Sequence, residues 1–437
     1  MTRAPRHRRT RPARSQGLRP RTAIVCSIAD QGVAALTNIA VLVVAARQST
    51  AAGFAVFSLV YMVFTVLLGL SVAYVGQALV LEKGEPRAVA GACRSAVWFT
   101  ATASAALGVP AAAVLWVLGG DTTAGLAALG LVLPVVLTQD TARYAFSTLR
   151  LPQHALAADM VRLAAVVPAL AAQPHDASAA RLIGVWGLSA LPALGLALGL
   201  LWRRVRGTDR DLRRYLRRGH LGRRFAVEFG VGNAGTQLAV IGLGLLANPL
   251  AVGALRGATT LYGPMNVLFN AATGFGPPLL NRGSPRSASR AAFAAGSVLA
   301  VLAAAWTVAL MLLPATYGEK LLGDTWAAAS QLLPATGSQY AAMALGTCGL
   351  LTLRVLRPRT TLPIQLVFSL LSVGFMLGGY VLGGVLGAAW GLALGSAAKG
   401  AASWLRVLRV LRTPDREGGP RHGAVSAAGS GGPGGTS

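Results

Sequence analysis

Apolar stretches alternate with short polar loops along almost the whole chain. Twelve of them lie at about 22–46, 54–78, 95–119, 126–149, 156–173, 181–202, 225–246, 251–280, 291–315, 330–353, 361–382 and 384–405. Most exceed the roughly 20 residues that a helix needs to cross a hydrocarbon core. The pattern predicts an all-α polytopic membrane protein with about twelve transmembrane helices.

The chain also repeats itself weakly at a period of about 200 residues. Leu133-Pro134 with Thr138-Gln139 returns as Leu333-Pro334 with Ser338-Gln339, and Thr148-Leu149-Arg150 returns as Thr352-Leu353-Arg354. Trp186-Gly187-Leu188 returns as Trp390-Gly391-Leu392, and Asp30 with Gly32-Val33 as Glu228 with Gly230-Val231. The matches keep their order, with offsets between 198 and 204. An even number of helices separates the copies, so two pseudo-symmetric six-helix lobes are expected, related by an axis normal to the membrane. The predicted units are lobes at 22–202 and 225–405, a basic connector at 203–224, and disordered tails at 1–21 and 406–437.

Arginine and lysine orient these helices. The tails and loops on one face, at 1–21, 79–94, 150–155, 203–224, 281–290, 354–360 and beyond 405, hold 33 of the 40 basic residues. The other face holds three, Arg47, Arg181 and Lys320; Arg143, Arg162, Arg256 and Lys399 fall inside spans. Short basic loops stay cytoplasmic, so both termini are expected in the cytoplasm. In a soluble chain a formal charge of +26 would suggest nucleic acid. Here the charge flanks a membrane, which excludes that reading and makes the lipid bilayer, with its anionic cytoplasmic leaflet, the expected partner.

The three cysteines, Cys26, Cys93 and Cys348, lie in or beside apolar spans without ligand spacing, and the histidines form no cluster. Neither a disulfide framework, a metal site nor a cofactor is expected. The first apolar stretch is too long for the core of a cleaved signal and is kept as a helix. Loops on the outer face reach only about a dozen residues, too short for an extracytoplasmic catalytic domain, so no enzyme is expected.

Candidate chemistry lies inside the membrane, where a charge is costly unless paired or hydrated. Asp30, Asp140, Arg143, Asp159 and Arg162 cluster towards the cytoplasmic half of the N-terminal lobe. Asp140/Arg143 and Asp159/Arg162 are spaced i, i+3, so each pair shares a helix face. Two readings are open: a wet cavity for an anion or a coupling ion, or pairs that staple helices together. Asp30 has no partner on its own helix and is expected to bond across, through Arg143 or Arg162. Glu228, close to Arg223 and Arg224, reads as a helix-start carboxylate with basic neighbours. Arg256 has no acid within a turn. With Arg47 on the outer rim it is a candidate grip on a diphosphate, or it snorkels to the interface. Asn38, Asn233, Gln237, Asn266 and Asn270 are candidates for sugar hydroxyls or for bridges between helices. Gly383, Gly387, Gly391 and Gly395 form a stripe for close packing, and Pro110, Pro134, Pro264 and Pro277 mark expected bends.

Asp30-Gln31-Gly32 with Thr37-Asn38, Ala46-Arg47 and Gly53-Phe54 leading into Phe57-Ser58-Leu59 resembles the opening of bacterial polysaccharide flippases. These belong to the multidrug/oligosaccharidyl-lipid/polysaccharide exporter superfamily. Gln139-Asp140, Arg143-Tyr144 and Asp159 resemble the helix 4–5 region of its actinobacterial members, and Gly253 to Arg256 with Leu261 to Pro264 and Asn266 its helix 8. The resemblance implies alternating-access flipping of an undecaprenyl-diphosphate-linked oligosaccharide for cell-surface polysaccharide, in the bacterial cytoplasmic membrane. Its partners would be that lipid-diphosphate-linked glycan and polysaccharide polymerases or glycosyltransferases. Substrate-binding candidates are then Arg256, Arg47, Arg143, Arg162, Asn38 and Asn266; coupling or gating candidates are Asp30, Asp140 and Asp159. A cation-coupled multidrug exporter of the same fold, or a lipid II flippase, is the alternative.

Overall fold

A computed structural model describes residues 20–232, 249–280, 284–322 and 326–412. Most of both expected tails lies outside these residues, as do Asn233 and Gln237. In the N-terminal half, α1 (Pro20–Arg47) leads to α2 (Ala51–Ser71), which continues through one π-helical turn at Val72–Gly76 and a last turn at Gln77–Leu79. Then come α3 (Pro86–Leu118), α4 (Asp121–Leu149), α5 (Pro152–Ala171), α6 (Ala179–Leu188) and α7 (Leu191–Val205). The expected sixth span is thus two helices, broken ahead of Pro192, whose ring cannot continue the preceding hydrogen-bond ladder. Thr50 and Ser178 cap α2 and α6 by accepting from the N–H groups of Gly53 and Arg181.

The connector carries one short turn, α8 (Arg213–Leu216), and α9 begins the second half at 221–232. The remaining helices are α10 (Pro249–Thr260), α11 (Gly263–Leu280), α12 (Pro285–Met311), α13 (Ala315–Leu322), α14 (Trp326–Gln331), α15 (Leu333–Leu356) and α16 (Thr361–Arg412). The expected eighth span breaks between α10 and α11, ahead of Pro264. Two antiparallel arms make up α16, reversing at Gly383-Gly384, where Gly384 has φ 59°, a conformation that glycine adopts without Cβ strain. Gly387 meets the Gly379 carbonyl, Gly391 the Phe375 carbonyl and Gly395 the Ser372 side chain, so a Cβ at any of them would separate the arms. Gly383 itself lies in the reversal and not in the packed stripe. The second arm runs on to Arg412, past the expected end at 405, because Trp404, Leu405, Val407 and Leu408 extend its apolar face.

Each half has its own core. Val41, Phe57, Leu133, Val166 and Trp186 pack in the first, and Tyr262, Met265, Phe269, Leu333 and Tyr340 in the second. Outside these cores the surface is itself apolar: Leu107, Val117, Leu312 and Leu382 are exposed. A soluble chain rarely exposes so much apolar surface; a bilayer covers it. Eight helical stretches among the described residues are long and apolar enough to cross a membrane, α6 and α7 counting as one and the two-armed α16 being the last.

The halves touch where the basic loops lie. α1 packs on α11, Arg150 Nη2 donates to the Pro278 carbonyl at 2.6 Å, and Lys83 Nζ donates to the Val355 carbonyl at 3.2 Å. The Phe229 ring of α9 fills the space that a side chain at Gly69 of α2 would occupy. The basic end is therefore closed.

Candidate functional site

Asp30 from α1, Gln139, Asp140 and Arg143 from α4, and Asp159 and Arg162 from α5 meet inside the N-terminal half. They meet because α1 packs along α5 and α5 lies against α4, while the 3.6-residue period places 139, 140 and 143 on one side of α4. Arg143 is the hub. Its Nη2 lies 2.8 Å from Asp30 Oδ2, its Nη1 3.2 Å from Asp140 Oδ1 and its Nε 3.0 Å from Asp159 Oδ2. The first two contacts are aligned hydrogen bonds; the third is an ion pair without that alignment. Gln139 Nε2 donates to the second Asp159 oxygen at 2.9 Å. Asp30 and Asp159 are buried, and one guanidinium fork satisfies three helices' worth of carboxylate.

The pairing differs from the sequence expectation at one point. Asp159 bonds Arg143, not its i+3 neighbour Arg162. Arg162 instead lies over the Trp186 ring, 5.4 Å from its centre, and its buried Nη1 has no hydrogen-bond partner. Stacking a guanidinium on an indole face offsets part of the cost of removing it from water. Arg143, proposed from sequence as a substrate grip, is fully occupied by acids.

A cavity of about 80 Å³ opens beside the cluster. Thr37, Asn38, Gln139, Asp140, Arg143, Asp159, Arg162 and Trp186 line its polar side. Asn38 accepts a hydrogen bond from the Tyr61 hydroxyl at 3.0 Å. Asp140 faces this space with one oxygen held, while Asp30 keeps a buried Oδ1 without a partner. Counting formal charges, three carboxylates stand against two guanidiniums, so the cluster carries one excess negative charge when all are ionised.

The second half holds a counterpart. Glu228, on α9, is buried and accepts from Arg354 Nη2 of α15 at 3.1 Å and from the Thr361 hydroxyl of α16. It is an interhelical ion pair and not a solvated carboxylate at a helix start. As with Asp30 and Arg143, the first span of the half is tied to its fourth. Arg354 also stacks on Phe225, 5.2 Å from the ring centre. A cavity of about 350 Å³ beside it is lined by Gln77, Phe225, Glu228, Phe229, Gly232, Arg354 and Gln365. The repeat signalled Arg354, as the counterpart of Arg150, but nothing in the sequence marked it as the partner of Glu228.

The other candidates disperse. Arg47 is exposed at the end of α1, away from the cluster, and its carbonyl contacts His175 Nδ1. Arg256 lies on α10, and its side chain is outside the described residues. Asn266 bridges to the Tyr340 hydroxyl at 3.3 Å, and Asn270 is exposed. Among the described residues no group of His, Cys, Asp and Glu is arranged to hold a metal ion; Arg143 occupies the centre of the aspartates.

No protein-family model matches the chain, and no curated protein matches its sequence. Solved structures do match its fold. A MATE in the straight conformation superposes with a TM-score of 0.70 at 12% identity, covering 92% of this chain and all of the other. An outward-facing multidrug resistance MATE family transporter of the MOP superfamily gives 0.71 at 14% identity, covering 92% of this chain and 99% of the other. The Vibrio cholerae MATE transporter VcmN in the bent form gives 0.69 at 15% identity, covering 90% of this chain and 97% of the other. Likeness over nearly the whole length, at such low identity, shows the architecture: this chain has the all-helical, two-lobed fold of the MATE transporters.

Proposed function

We propose that this protein is an alternating-access exporter that moves a small lipophilic organic cation outward in exchange for a proton. One observation carries the proposal: the Asp30, Asp140 and Asp159 carboxylates converge on Arg143 and, with Arg162 beside them, keep one negative charge in excess. Buried in a membrane, that excess demands a compensating cation. A proton serves, because Arg143 fills the place at which a metal ion would be coordinated. Contacts close the basic end between the halves, as alternating access requires of a state that opens to the other face. The fold likeness supports this reading over a lipid-linked substrate.

Flipping of an undecaprenyl-diphosphate-linked oligosaccharide is the second reading, and Arg162 favours it. A guanidinium with an unpartnered Nη1 at the cavity is suited to a phosphate oxygen. Proteoliposomes holding the purified chain decide between them. Under an imposed pH gradient the first reading gives concentrative movement of ethidium; the second gives none, and gives glycosidase- or lectin-accessible glycan from a lipid-diphosphate oligosaccharide in the inner leaflet.

A further inference from the structure

On the N-terminal half, α3, α4 and α7 enclose an apolar groove that shares no lining residue with the cavity beside the charge cluster. It has a volume of about 200 Å³ and is lined by Arg94, Val97, Trp98, Ala101, Thr138, Leu198, Leu201, Trp202 and Val205. Two arginine–tryptophan stacks frame its mouth. The Arg94 guanidinium lies 5.4 Å from the Trp202 ring centre, and the Arg210 guanidinium 5.0 Å from that of Trp98. Arg94 Nη1 is held by the Thr208 carbonyl at 2.6 Å, whereas its buried Nε has no partner. At the far end the buried Thr138 hydroxyl also has no partner. Thr138 stands 11 residues before the end of α4, so the groove descends about 16 Å from the basic end at 1.5 Å per residue.

We infer that this groove is a binding site for one anionic phospholipid of the leaflet on the basic side, its headgroup phosphate between Arg94 and Arg210 and an acyl chain running down to Thr138. The chemistry of each part matches. An apolar trough takes an alkyl chain, and Trp98 and Trp202 are exposed beside its arginines, the side-chain type that is enriched at membrane–water boundaries. The arginines supply charge at headgroup level, as basic pockets between membrane helices do. The adjoining segment adds Arg203, Arg204 and Arg206. Its acids leave that balance positive: Asp211 is paired with Arg217 at 3.1 Å, and Asp209 stands alone against them. Because the groove bridges α3, α4 and α7, an occupying lipid would brace the helix that carries Asp140 and Arg143.

Native mass spectrometry of the full chain, released from detergent with equal phosphatidylglycerol and phosphatidylcholine, tests the site. The wild type is expected to retain one phosphatidylglycerol in preference to phosphatidylcholine. Arg210→Gln, at an exposed position, should weaken that retention about fivefold, as expected for one basic residue at the surface. Ala101→Trp, which fills the trough without changing charge, should remove the retained lipid. Equal retention of both lipids by the wild type, or a phosphatidylglycerol adduct unchanged in both variants, would overturn the assignment.

Discussion

Arg143 of α4 reaches Asp30 of α1 across 2.8 Å, and the same guanidinium holds Asp140 and Asp159. One side chain thereby fixes three helices of the first half. Removing it leaves the buried Asp30 and Asp159 and the half-buried Asp140 facing Arg162 alone. Breaking a buried pair costs about 3–5 kcal/mol. Arg143→Ala is therefore expected to lower the thermal unfolding midpoint in detergent sharply. Asp30→Asn, which balances two acids against two bases, should lower it far less. Equal losses in the two variants would mean that the cluster is not organised around Arg143.

Orientation follows from the basic loops. In a background without the three native cysteines, Asp121→Cys and Glu319→Cys are expected to react with an impermeant thiol reagent added to intact cells. Arg213→Cys should react only after the membrane is opened. The reverse pattern would invert the assignment of the basic side.

Closure of that side depends on Gly69, against which the Phe229 ring packs. Gly69→Leu should hold the halves apart there. A cysteine at Gln77, which lines the cavity between the halves, is expected to label faster from the basic face in that variant, and Phe229→Ala should reverse the gain. Unchanged labelling would remove this contact from the closed state.

The connector carries a pH-sensitive contact outside the membrane. His220 packs between Tyr74 and Tyr215, at 5.3 and 4.9 Å between ring centres. Burial, with Arg214 and Arg223 nearby, pushes its pKa down from 6.5 to about 4. The folded state thus holds the ring neutral where the unfolded chain would protonate it. Stability from this contact is full above about pH 6.5 and is lost as pH falls from there towards 4. His220→Phe is expected to flatten the fall in unfolding midpoint between pH 7.5 and 5; a fall as steep as in the wild type would contradict it.

Much of this architecture is legible in the sequence because a bilayer imposes a simple code. A run such as 361–382 followed by 384–405 shows two helices, and Gly383-Gly384 between them supplies the reversal seen in α16. Proline-linked breaks at Pro192 and Pro264 are less legible, since Pro110 and Pro134 sit inside continuous helices; whether the ladder breaks depends on neighbours that re-satisfy it. The charged residues of the site could be listed, but their pairing could not. Spacing along one helix assigned Arg162 to Asp159, whereas packing of α4 against α5 delivers Arg143, and Trp186 draws Arg162 away. Arg223 and Arg224 are the basic neighbours of Glu228 in sequence, whereas Arg354 reaches it from a helix 126 residues away.

A proton-exchanging transporter of this kind loads and releases its proton at the excess charge of the cluster. Asp140 is the residue to change, because it lines the cavity with one oxygen held by Arg143. In proteoliposomes with a pH dye inside, outwardly directed ethidium movement by the wild type should be accompanied by proton movement the other way, in a fixed ratio. Asp140→Asn should pass ethidium only down its own gradient, with no accompanying proton flux. Proton-coupled transport at an unchanged ratio in Asp140→Asn would contradict the account.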